Sequence, residues 1–335
     1  MNPAILVTGG AGYVGSAVCK ALHAAGYLPV TYDNLSRGHR WAVQWGPIEE
    51  GDLADRERLD AVLSRHNVSA VIHMAAFAYV GESVTEPELY HQNNVANSMT
   101  LLDAMRDCGL GAIVFSSSCV VYGEPVRTPI DETHGRSPVN PYGDTKKLVE
   151  DTLELRGKTD SLQWAALRYF NAAGASPEGE IGEDHNPETH LIPLAIDAAI
   201  GARGPIEVFG TDYPTPDGTA IRDYVHVADL ADAHILALKY LIGGGPSDAF
   251  NLGTGNGHSV REVIAAVERA TGSSDISRPG ARRIGDPAML VADASKAKST
   301  LDWNPVSSDL ETLVGTAVDW HAGRLGAGQS QLNAN

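Results

Sequence analysis

One turn near the N-terminus constrains the fold more than any other feature of the chain. The apolar run AILVT is followed directly by GGAGYVGS, which places glycines at positions 9, 12 and 15. Between a strand and a helix, glycines at this spacing permit a tight turn, a close backbone approach to a diphosphate, and close packing of helix on sheet. The free N–H groups that begin the helix favour an anion. The spacing alone is weak evidence, but with its position it predicts a dinucleotide-binding βαβ unit.

The first half of the chain alternates β-branched runs with helical patterns. Strands that are apolar on both faces and separated by helices form parallel sheets covered on both sides. We therefore predict a Rossmann-type, doubly wound α/β domain at 1–175. The predicted elements after the first strand are the strands LPVTYD, AVIHMAA, AIVFSSS and WAALRYF and the helices 13–25, 55–66, 87–108 and 141–157.

A loop rich in glycine, proline and acidic residues at 172–190 interrupts this pattern. Loops of that length usually carry function or mark a boundary. Beyond it we predict a smaller, mixed α/β substrate domain at 176–325, some segments of which return to the first domain, and a flexible polar tail at 326–335. Its predicted elements are the helices 191–201, 228–241, 259–271 and 308–322 and the strands IEVFG, YVHV and FNLG.

Charge and hydropathy exclude several classes of protein. The net charge of −17 repels nucleic acid and acidic membrane surfaces, so we predict neither as a partner. The longest apolar stretch, AVIHMAAFAYV, is far shorter than the roughly 18 residues that span a bilayer. The N-terminus lacks the basic region of a signal peptide, and the three cysteines fit neither disulfide nor metal spacing. We therefore expect a reduced, cytoplasmic protein, and we predict no metal site from the scattered histidines.

An acidic residue refines the predicted cofactor. The second predicted strand ends at Asp33, 18 residues after Gly15, where such folds place the acid that binds the adenine ribose 2′-hydroxyl. A carboxylate there disfavours a 2′-phosphate, so NAD is predicted rather than NADP. The alternative is that Asp33 and Asn34 only cap a turn, and Arg37 is the nearby residue that would favour a phosphate.

Two further motifs indicate acid–base chemistry. Tyr142 and Lys146 lie four residues apart in NPYGDTK and therefore on one face of a helix, where the ammonium favours the phenolate and predicts a lowered tyrosine pKa. The run FSSSC ends a strand with three serines at a carboxyl edge, where ligands bind in open α/β sheets. A hydroxyl there can contact the oxygen that Tyr142 deprotonates. Chance pairing of the first motif and a simple turn or cap for the second are the alternatives.

With these motifs the chain resembles the UDP-glucose 4-epimerases (UDP-galactose 4-epimerases) of the extended short-chain dehydrogenase/reductase superfamily. The resemblance runs in order from residue 4 to about residue 323. It implies reversible epimerisation at C4 of a UDP-sugar through a 4-keto intermediate, with tightly bound NAD. The segments that carry it are TGGAGYVGS, HMAAFAYVGESV, FSSSCVVYG, NPYGDTK, RYFNAAGA, IRDYVHVADLADAH, FNLGTGNGHSV and ARRIGDPAMLVADASK.

The resemblance also implies roles for individual residues. Tyr142 is the base, Lys146 lowers its pKa and holds the nicotinamide ribose, and Ser118 hydrogen-bonds the sugar 4-oxygen. The implied cofactor contacts are Gly9, Gly12, Tyr13, Val14, Gly15, Asp33, Asn34, Asp52, Leu53, Met74, Ala75, Ala76, Asn93, Ser116, Tyr142, Lys146 and Phe170. The implied substrate contacts are Ser118, Tyr142, Asn171, His190, Leu191, Phe209, Arg222, Arg283 and Asp286. The alternative for the two arginines is a surface salt bridge with Asp223 or Asp286.

Three positions depart from the family pattern and leave the sugar open. Ala78 stands where many members have lysine, His190 where asparagine is usual, and Leu290 where members have either tyrosine or a small residue. UDP-xylose/UDP-arabinose and UDP-GlcNAc/UDP-GalNAc therefore remain alternative substrates. A dehydratase or decarboxylase is disfavoured because Cys119 and Val120 follow Ser118 where dehydratases carry acids, and a non-catalytic NAD-binding regulator because the Tyr–Lys pair is intact. Relatives pair helices equivalent to 87–108 and 141–157, so the resemblance implies a homodimer.

Overall fold

The computed structural model describes residues 2–283 and 286–332, with side chains in residues 2–283 and 286–324. The strands are β1 (Ala4–Thr8), β2 (Leu28–Asp33), β3 (Ile48–Glu50), β4 (Val68–His73), β5 (Ala112–Ser118), β6 (Gln163–Tyr169), β7 (Asn171–Ala173), β8 (Ile206–Phe209), β9 (Ile221–His226), β10 (Asp248–Leu252), β11 (Gly257–Ser259), β12 (Ser277–Gly280) and β13 (Met289–Leu290). The α-helices are α1 (Tyr13–Ala24), α2 (Arg56–Arg65), α3 (Val80–Thr85), α4 (Pro87–Tyr90), α5 (Asn97–Asp107), α6 (Pro141–Thr159), α7 (Leu191–Ala199), α8 (Val227–Ile242), α9 (Val260–Thr271), α10 (Ser295–Leu301) and α11 (Leu310–Leu332).

The larger sheet is parallel throughout and has seven strands in the order β10-β6-β5-β4-β1-β2-β3. Alternate side chains of β1 enter opposite cores, because successive residues of a strand point to opposite faces. One core contains residues of α1, α8 and α10, and the other contains residues of α2, α5 and α6. This confirms the predicted Rossmann-type, doubly wound α/β fold.

Part of the second half of the chain returns to this first sheet. The segment FNLG, predicted as a strand after the boundary, lies in β10 and pairs in parallel with β6 at the sheet edge. The apolar face of α8, including Leu230, Leu238 and Leu241, packs in the same core as Val18 and Leu22 of α1. The larger sheet is therefore completed only by residues from beyond the predicted domain boundary.

Short strands and helices form the smaller lobe. β7 and β13 each pair in parallel with β9, β11 pairs antiparallel with it, and β8 pairs with β12. α7, α9 and α11 bury an apolar core against these strands. β7 begins two residues after β6 ends, so the chain passes almost directly from the larger sheet into the smaller one. The roles predicted for the ranges 1–175 and 176–325 stay predictions.

The structure differs from the predicted elements, for example in the range 87–108, at β3 and at the C-terminus. The helix predicted over 87–108 is divided into α4, a π-helical turn at His91–Ala96 and α5. β3 was not predicted because its sequence, IEE, has two acidic residues; it pairs with β2 at the edge of the sheet. α11 continues to Leu332, into the tail predicted as flexible. Residues 333–335 of that tail lie outside the described residues. In the described part of the chain, each helix is too short or too polar to cross a membrane.

Candidate active site

The glycine turn has the geometry that its spacing predicted. Gly9 has a φ of +72°, and a Cβ there would lie 2.7 Å from the backbone nitrogen of Ala75. A Cβ on Gly15 would lie 2.1 Å from the carbonyl oxygen of Gly9, so only glycine lets α1 approach the turn. Gly12 is the N-cap of α1, and Ser16 donates a hydrogen bond to its carbonyl at 2.9 Å. The predicted contacts Tyr13 and Val14 begin the helix.

A small cleft lies at this helix N-terminus. It is lined by Gly12, Tyr13, Ser16, Arg37 and His39, among others. A Cβ on Gly12 would point into open space except for the Gly9 oxygen at 3.3 Å. These features fit the diphosphate of a dinucleotide, with Gly12, Tyr13, Val14 and Gly15 as the residues that would hold it.

Asp33 ends β2 and supports the same turn. Its carboxylate accepts hydrogen bonds from the backbone of Ala11 at 3.0 Å and of Leu35 at 2.8 Å, so the predicted turn-capping role is also present. Burial raises its pKa, and the two backbone donors oppose that rise. Arg37 pairs with Glu82 at 2.6 Å and lies over the Phe77 and Tyr79 rings. Because Arg37 is paired with Glu82, it is not placed to bind a 2′-phosphate, which agrees with NAD as the cofactor.

The other predicted cofactor residues lie along the carboxyl edge of the larger sheet. Asp52 follows β3 and accepts a hydrogen bond from Asn34 at 2.7 Å, and the neighbouring Leu53 is buried. Met74, Ala75 and Ala76 follow β4. Asn93 donates a hydrogen bond to Asn94 at 2.9 Å. It lies in the π-helical turn, and such turns occur frequently at functional sites. Ala78 is exposed.

Tyr142 lies in the first turn of α6, where local sequence fixes its position. Asn140 caps the helix by accepting a hydrogen bond from Gly143 at 2.9 Å, and Pro141 occupies the first helical position. The tyrosine is 7% exposed. Burial raises its pKa well above the ordinary value, while the nearby Ser118 side chain opposes that rise. The structure therefore brings the predicted base and the predicted serine together.

The prediction of a lowered Tyr142 pKa from the Tyr–Lys spacing alone is wrong. Lys146 is buried, and its ammonium donates to the carbonyl of Ser116 at 2.8 Å, 5.8 Å from the centre of the Tyr142 ring. Burial is the largest effect on the Tyr142 pKa, and it raises that pKa. Burial also lowers the pKa of Lys146 to about 7. Lys146 therefore loses its proton at a lower pH than an ordinary lysine does.

The three serines at the end of β5 have three different partners. Ser116 hydrogen-bonds His234 at 2.7 Å, Ser117 donates to Glu150 at 2.5 Å, and Ser118 faces Tyr142. Ser118 also caps the short 3₁₀ turn Cys119–Tyr122. Phe170, a predicted cofactor contact, is buried with Cys119, and Leu290 packs against the same cluster.

The predicted nucleotide-sugar residues lie in the smaller lobe. Arg222 of β9 pairs with Asp286, which is one of the two salt-bridge alternatives, and lies opposite Leu290 of β13. The guanidinium of Arg283 stacks over Phe209, 4.0 Å from the ring centre. The other two predicted contacts outside the Glu183–His190 loop are Asn171, which begins β7, and Leu191, which begins α7.

Arg222 also connects this lobe to the catalytic residues. Burial raises the pKa of Cys119 to about 12, and Arg222 is near enough to oppose that rise. Arg222 is therefore near the segment that carries the predicted catalytic serine, and its charge is paired with that of Asp286.

A loop before α7 gathers four ionisable side chains that sequence reasoning did not connect. The ligand atoms of Glu183, His185, Glu188 and His190 lie within 4.8 Å of one another. His190 faces Glu183 at 2.7 Å and Glu188 at 3.0 Å, while His185 faces Glu183 at 3.1 Å. Glutamate partners raise the pKa values of His185 and His190 to about 9 and about 10 against the opposing effect of burial. Two imidazoliums thus balance two carboxylates. The repeated Glu-x-His spacing was the available signal.

Known proteins show close similarity to this chain. Residues 5–253 match the model of the NAD dependent epimerase/dehydratase family. UDP-glucose 4-epimerase of Rhizobium leguminosarum bv. trifolii is 52% identical over 318 residues, covering 95% of this chain and 97% of that protein. The UDP-glucose 4-epimerase of Brucella ovis in complex with NAD superposes with a TM-score of 0.93 at 50% identity, covering 95% and 98% of the two chains.

A third relative carries a sugar nucleotide. The UDP-glucose-4-epimerase of Stenotrophomonas maltophila, with bound NAD and formylated UDP-arabinopyranose, has a TM-score of 0.93 at 41% identity and covers 98% of this chain and 99% of its own. These similarities extend over nearly the whole chain, and they confirm the prediction of NAD as cofactor. The chain therefore belongs to the NAD dependent epimerase/dehydratase family, and within it to the UDP-glucose 4-epimerases.

Proposed function

We propose that this protein interconverts UDP-glucose and UDP-galactose by reversible epimerisation at C4. The observation that carries the proposal is the meeting of Tyr142 and Ser118 at the carboxyl edge of the larger sheet, beside the glycine turn. The glycine turn and the carboxyl edge of the larger sheet would hold NAD, which would supply reversible hydride transfer at C4. There is no net oxidation of the sugar.

The chain's own residues manage the proton of this reaction. Tyr142 takes the proton of the sugar 4-hydroxyl and later returns it, while Ser118 holds the 4-oxygen by a hydrogen bond. Burial raises the pKa of Tyr142, so its phenolate needs nearby positive charge. Lys146, four residues away on the same helix face, provides that charge while it is protonated.

The diphosphate of the substrate requires cations in a chain of net charge −17. Arg222 and Arg283 provide them, and guanidinium groups bind phosphate oxygens in bidentate fashion. Phe209 is 36% exposed beside Arg283, so its ring is accessible to a ligand. These contacts support the substrate-binding roles implied for Arg222, Arg283 and Phe209. Asn171, His190, Leu191 and Asp286 complete the proposed set of substrate contacts.

A pentose substrate is the second candidate. The relative from Stenotrophomonas maltophila contains formylated UDP-arabinopyranose, and its fold matches this chain closely. Leu290 packs beside Phe170 and Cys119, next to the predicted catalytic serine, and a leucine side chain reduces the space there. The size of the side chain at position 290 also affects whether an N-acetylated hexose fits in the site.

A substrate panel tests both candidates. We expect the purified protein to interconvert UDP-glucose and UDP-galactose without added NAD, because the cofactor stays bound through the cycle. UDP-xylose with UDP-arabinose, and UDP-GlcNAc with UDP-GalNAc, are the comparison pairs, each followed by chromatography of the sugar nucleotides. If the protein converts the pentose pair but not UDP-galactose, the pentose proposal replaces the hexose proposal. If it converts UDP-galactose only after NAD is added, the proposal that NAD stays tightly bound is refuted.

We also infer that the protein forms a homodimer through the helices of 87–108 and 141–157. Leu89 of α4 and Leu155 of α6 are large apolar side chains that are 44% and 58% exposed. Large apolar side chains exposed on a protein surface favour burial against a partner. Light scattering after gel filtration is expected to give twice the chain mass of 35.4 kDa. A Leu155→Glu substitution is expected to shift the mass toward the monomer; a monomeric wild type contradicts the inference.

A cytoplasmic location is the companion proposal. Cys19, Cys108 and Cys119 are free thiols, and unpaired cysteines are typical of reducing compartments. Recovery of the native protein mainly from a secreted fraction would refute it.

A further inference from the structure

The loop before α7 brings four side chains together that are able to bind a metal ion. We call Glu183, His185, Glu188 and His190 the loop cluster. Each side chain offers one ligand atom, and the four atoms all lie within 4.8 Å of one another. Among the residues that the structure describes, this is the one such group. The reaction proposed above makes no use of Glu183, His185 or Glu188.

Ordinary ion pairs account for only part of this arrangement. His190 Nδ1 lies 2.7 Å from Glu183 Oε1 and 3.0 Å from Glu188 Oε1. His185 Nδ1 lies 3.1 Å from Glu183 Oε1 and 3.6 Å from Glu188 Oε2. Each ring nitrogen carries at most one hydrogen, which it directs to one oxygen while a second oxygen lies close by. A cation between the four side chains would contact all of them at once.

The distances fit a tetrahedral transition-metal ion. Zn²⁺ binds imidazole nitrogen and carboxylate oxygen at about 2.0–2.2 Å, so neighbouring ligand atoms are about 3.3–3.6 Å apart. The nitrogen-to-oxygen distances in the loop cluster are 2.7, 3.0, 3.1 and 3.6 Å. The shortest of them therefore has to grow by less than about 1 Å when the ion enters. Imidazole ligands favour Zn²⁺ over Mg²⁺ and Ca²⁺, which prefer oxygen.

The charge of the loop also fits a divalent cation. Glu183 is 6% exposed, and a buried carboxylate needs a positive partner. Without a metal ion, the protonated rings of His185 and His190 supply that charge. One divalent cation carries the same charge as the two protons that it displaces. The exchange therefore leaves the loop neutral.

Contacts outside the loop cluster hold its members in place. The backbone N–H groups of Thr189 and His190 donate to Glu188 Oε1 at 2.6 and 2.8 Å. The indole of Trp320 in α11 donates to the carbonyl of Glu183 at 3.3 Å. Outer contacts of this kind orient the ligands of a metal ion. The ligand positions are therefore fixed by the fold.

An unpartnered imidazole lies near the loop cluster. Burial lowers the pKa of His321 in α11, and the charges that oppose this effect include Glu183 and Glu188. Its Nε2 is buried and has no hydrogen-bond partner among the described residues. Such atoms are rare in folded proteins and are found where a water molecule or an ion binds. His321 is thus a second observation, separate from the four ligands, that points to a bound group here.

The loop cluster lies between the two sets of predicted ligand contacts. The ring of His185 packs edge-on against Tyr13, at the start of α1, and against Tyr79, with centroids 6.3 and 5.9 Å apart. His190 is the N-cap residue of α7, which begins with the predicted substrate contact Leu191. An ion bound to Nδ1 of His190 leaves its Nε2 for the predicted contact with substrate.

We propose that the loop cluster is a structural site for one Zn²⁺ ion, with Nδ1 of each histidine and one oxygen of each glutamate as ligands. Four protein ligands without an open position are typical of structural rather than catalytic zinc sites. The ion fixes the loop between the glycine turn and α7. This proposal replaces the prediction of no metal site, which rested on the scattered positions of the histidines in the sequence. It does not depend on which sugar reacts.

Zinc binding by the wild-type protein is the central test. The protein is made without a polyhistidine tag, freed of metal with a chelator, and titrated with ZnCl₂ at about pH 8, because protons compete with the ion for histidine. Competition with a chromophoric chelator measures the affinity. We expect one Zn²⁺ per chain, with Mg²⁺ and Ca²⁺ bound at least about 100-fold more weakly.

His185→Gln and Glu188→Gln test the ligands. Each removes one ligand and keeps a side chain of similar size. We expect Zn²⁺ affinity to fall at least about 100-fold, since even the outer partners of metal ligands contribute roughly 10–100-fold. His23→Gln is the matched control, because His23 is exposed on α1 outside the loop cluster, and it is expected to keep the wild-type affinity. Zn²⁺ is expected to raise Tm in the wild type and the control but not in the ligand variants.

A crystal of the wild type grown with one equivalent of Zn²⁺ locates the ion without any substitution. The anomalous difference map at the zinc absorption edge is expected to peak between the four side chains. A map without that peak would overturn the proposal, as would equal Zn²⁺ binding by the wild type and the folded ligand variants, including no binding by any of them. The loop cluster would then be held by ion pairs alone. None of these measurements depends on turnover, so they stand apart from the test of the proposed function.

Discussion

Tyr142→Phe is expected to lower kcat by about 10³-fold, within the range that general acid–base catalysis contributes. The substitution removes the hydroxyl that meets Ser118 but keeps the ring that packs edge-on against Tyr90, with centroids 6.4 Å apart. We therefore expect an unchanged fold and undiminished NAD content. Initial rates of UDP-galactose conversion and the NAD content of the denatured protein measure the two quantities.

Tyr90→Phe is the matched control. Its hydroxyl donates to Glu82 at 2.8 Å and accepts from the backbone of Tyr79 at 2.9 Å, so the variant loses these two hydrogen bonds and keeps the ring that packs against Tyr142. It is expected to reduce stability by about 1 kcal/mol while keeping kcat within a few-fold of wild type. Near-wild-type turnover in a well-folded Tyr142→Phe protein would show that another group is the base.

Gly15→Ala is expected to cause the largest loss of bound NAD. The added Cβ would meet the Gly9 carbonyl oxygen at 2.1 Å, so the helix must move from the turn. Overpacking of this kind costs about 1–3 kcal/mol, which corresponds to roughly a tenfold to hundredfold loss of cofactor affinity if the strain falls on the turn. NAD content after purification and activity with and without added NAD are the measurements.

Gly81→Ala provides the control for adding a methyl group to a helical glycine. A Cβ there would have no heavy atom within 4 Å, and we expect full NAD content and full activity. Wild-type NAD retention by Gly15→Ala would mean that the turn adjusts freely, and the glycine spacing would then lose its predictive meaning.

The fold could be predicted from the sequence because its main signals are local. The β-branched runs and the glycine turn indicate strand, turn and helix within about thirty residues, and parallel sheets have few topologies. The return of β10 to the larger sheet was less accessible, since FNLG is short and its neighbour β6 lies about eighty residues earlier in the chain. The π-helical turn at His91–Ala96 was not foreseen, as its residues continue an ordinary helical pattern.

The candidate site could be predicted in its residue types but not in its electrostatics. Spacing placed Tyr142 and Lys146 on one face, yet the depth of burial that raises the tyrosine pKa and lowers the lysine pKa is a property of the packed protein. Glu150 follows Lys146 at the same spacing, but its ion pair with Arg168 could not be predicted, because only the pairing of β5 with β6 brings that strand beside the helix.

The position of β10 and α8 in the larger sheet has a consequence for how the chain is made. During synthesis the first six strands emerge before α8 and β10, so β6 remains an open sheet edge and the apolar face of α1 stays uncovered. Unpaired edges and exposed apolar faces are the features that make nascent chains aggregate or recruit chaperones. The larger sheet and the core around α1 are therefore complete only after the chain has been synthesised as far as residue 252.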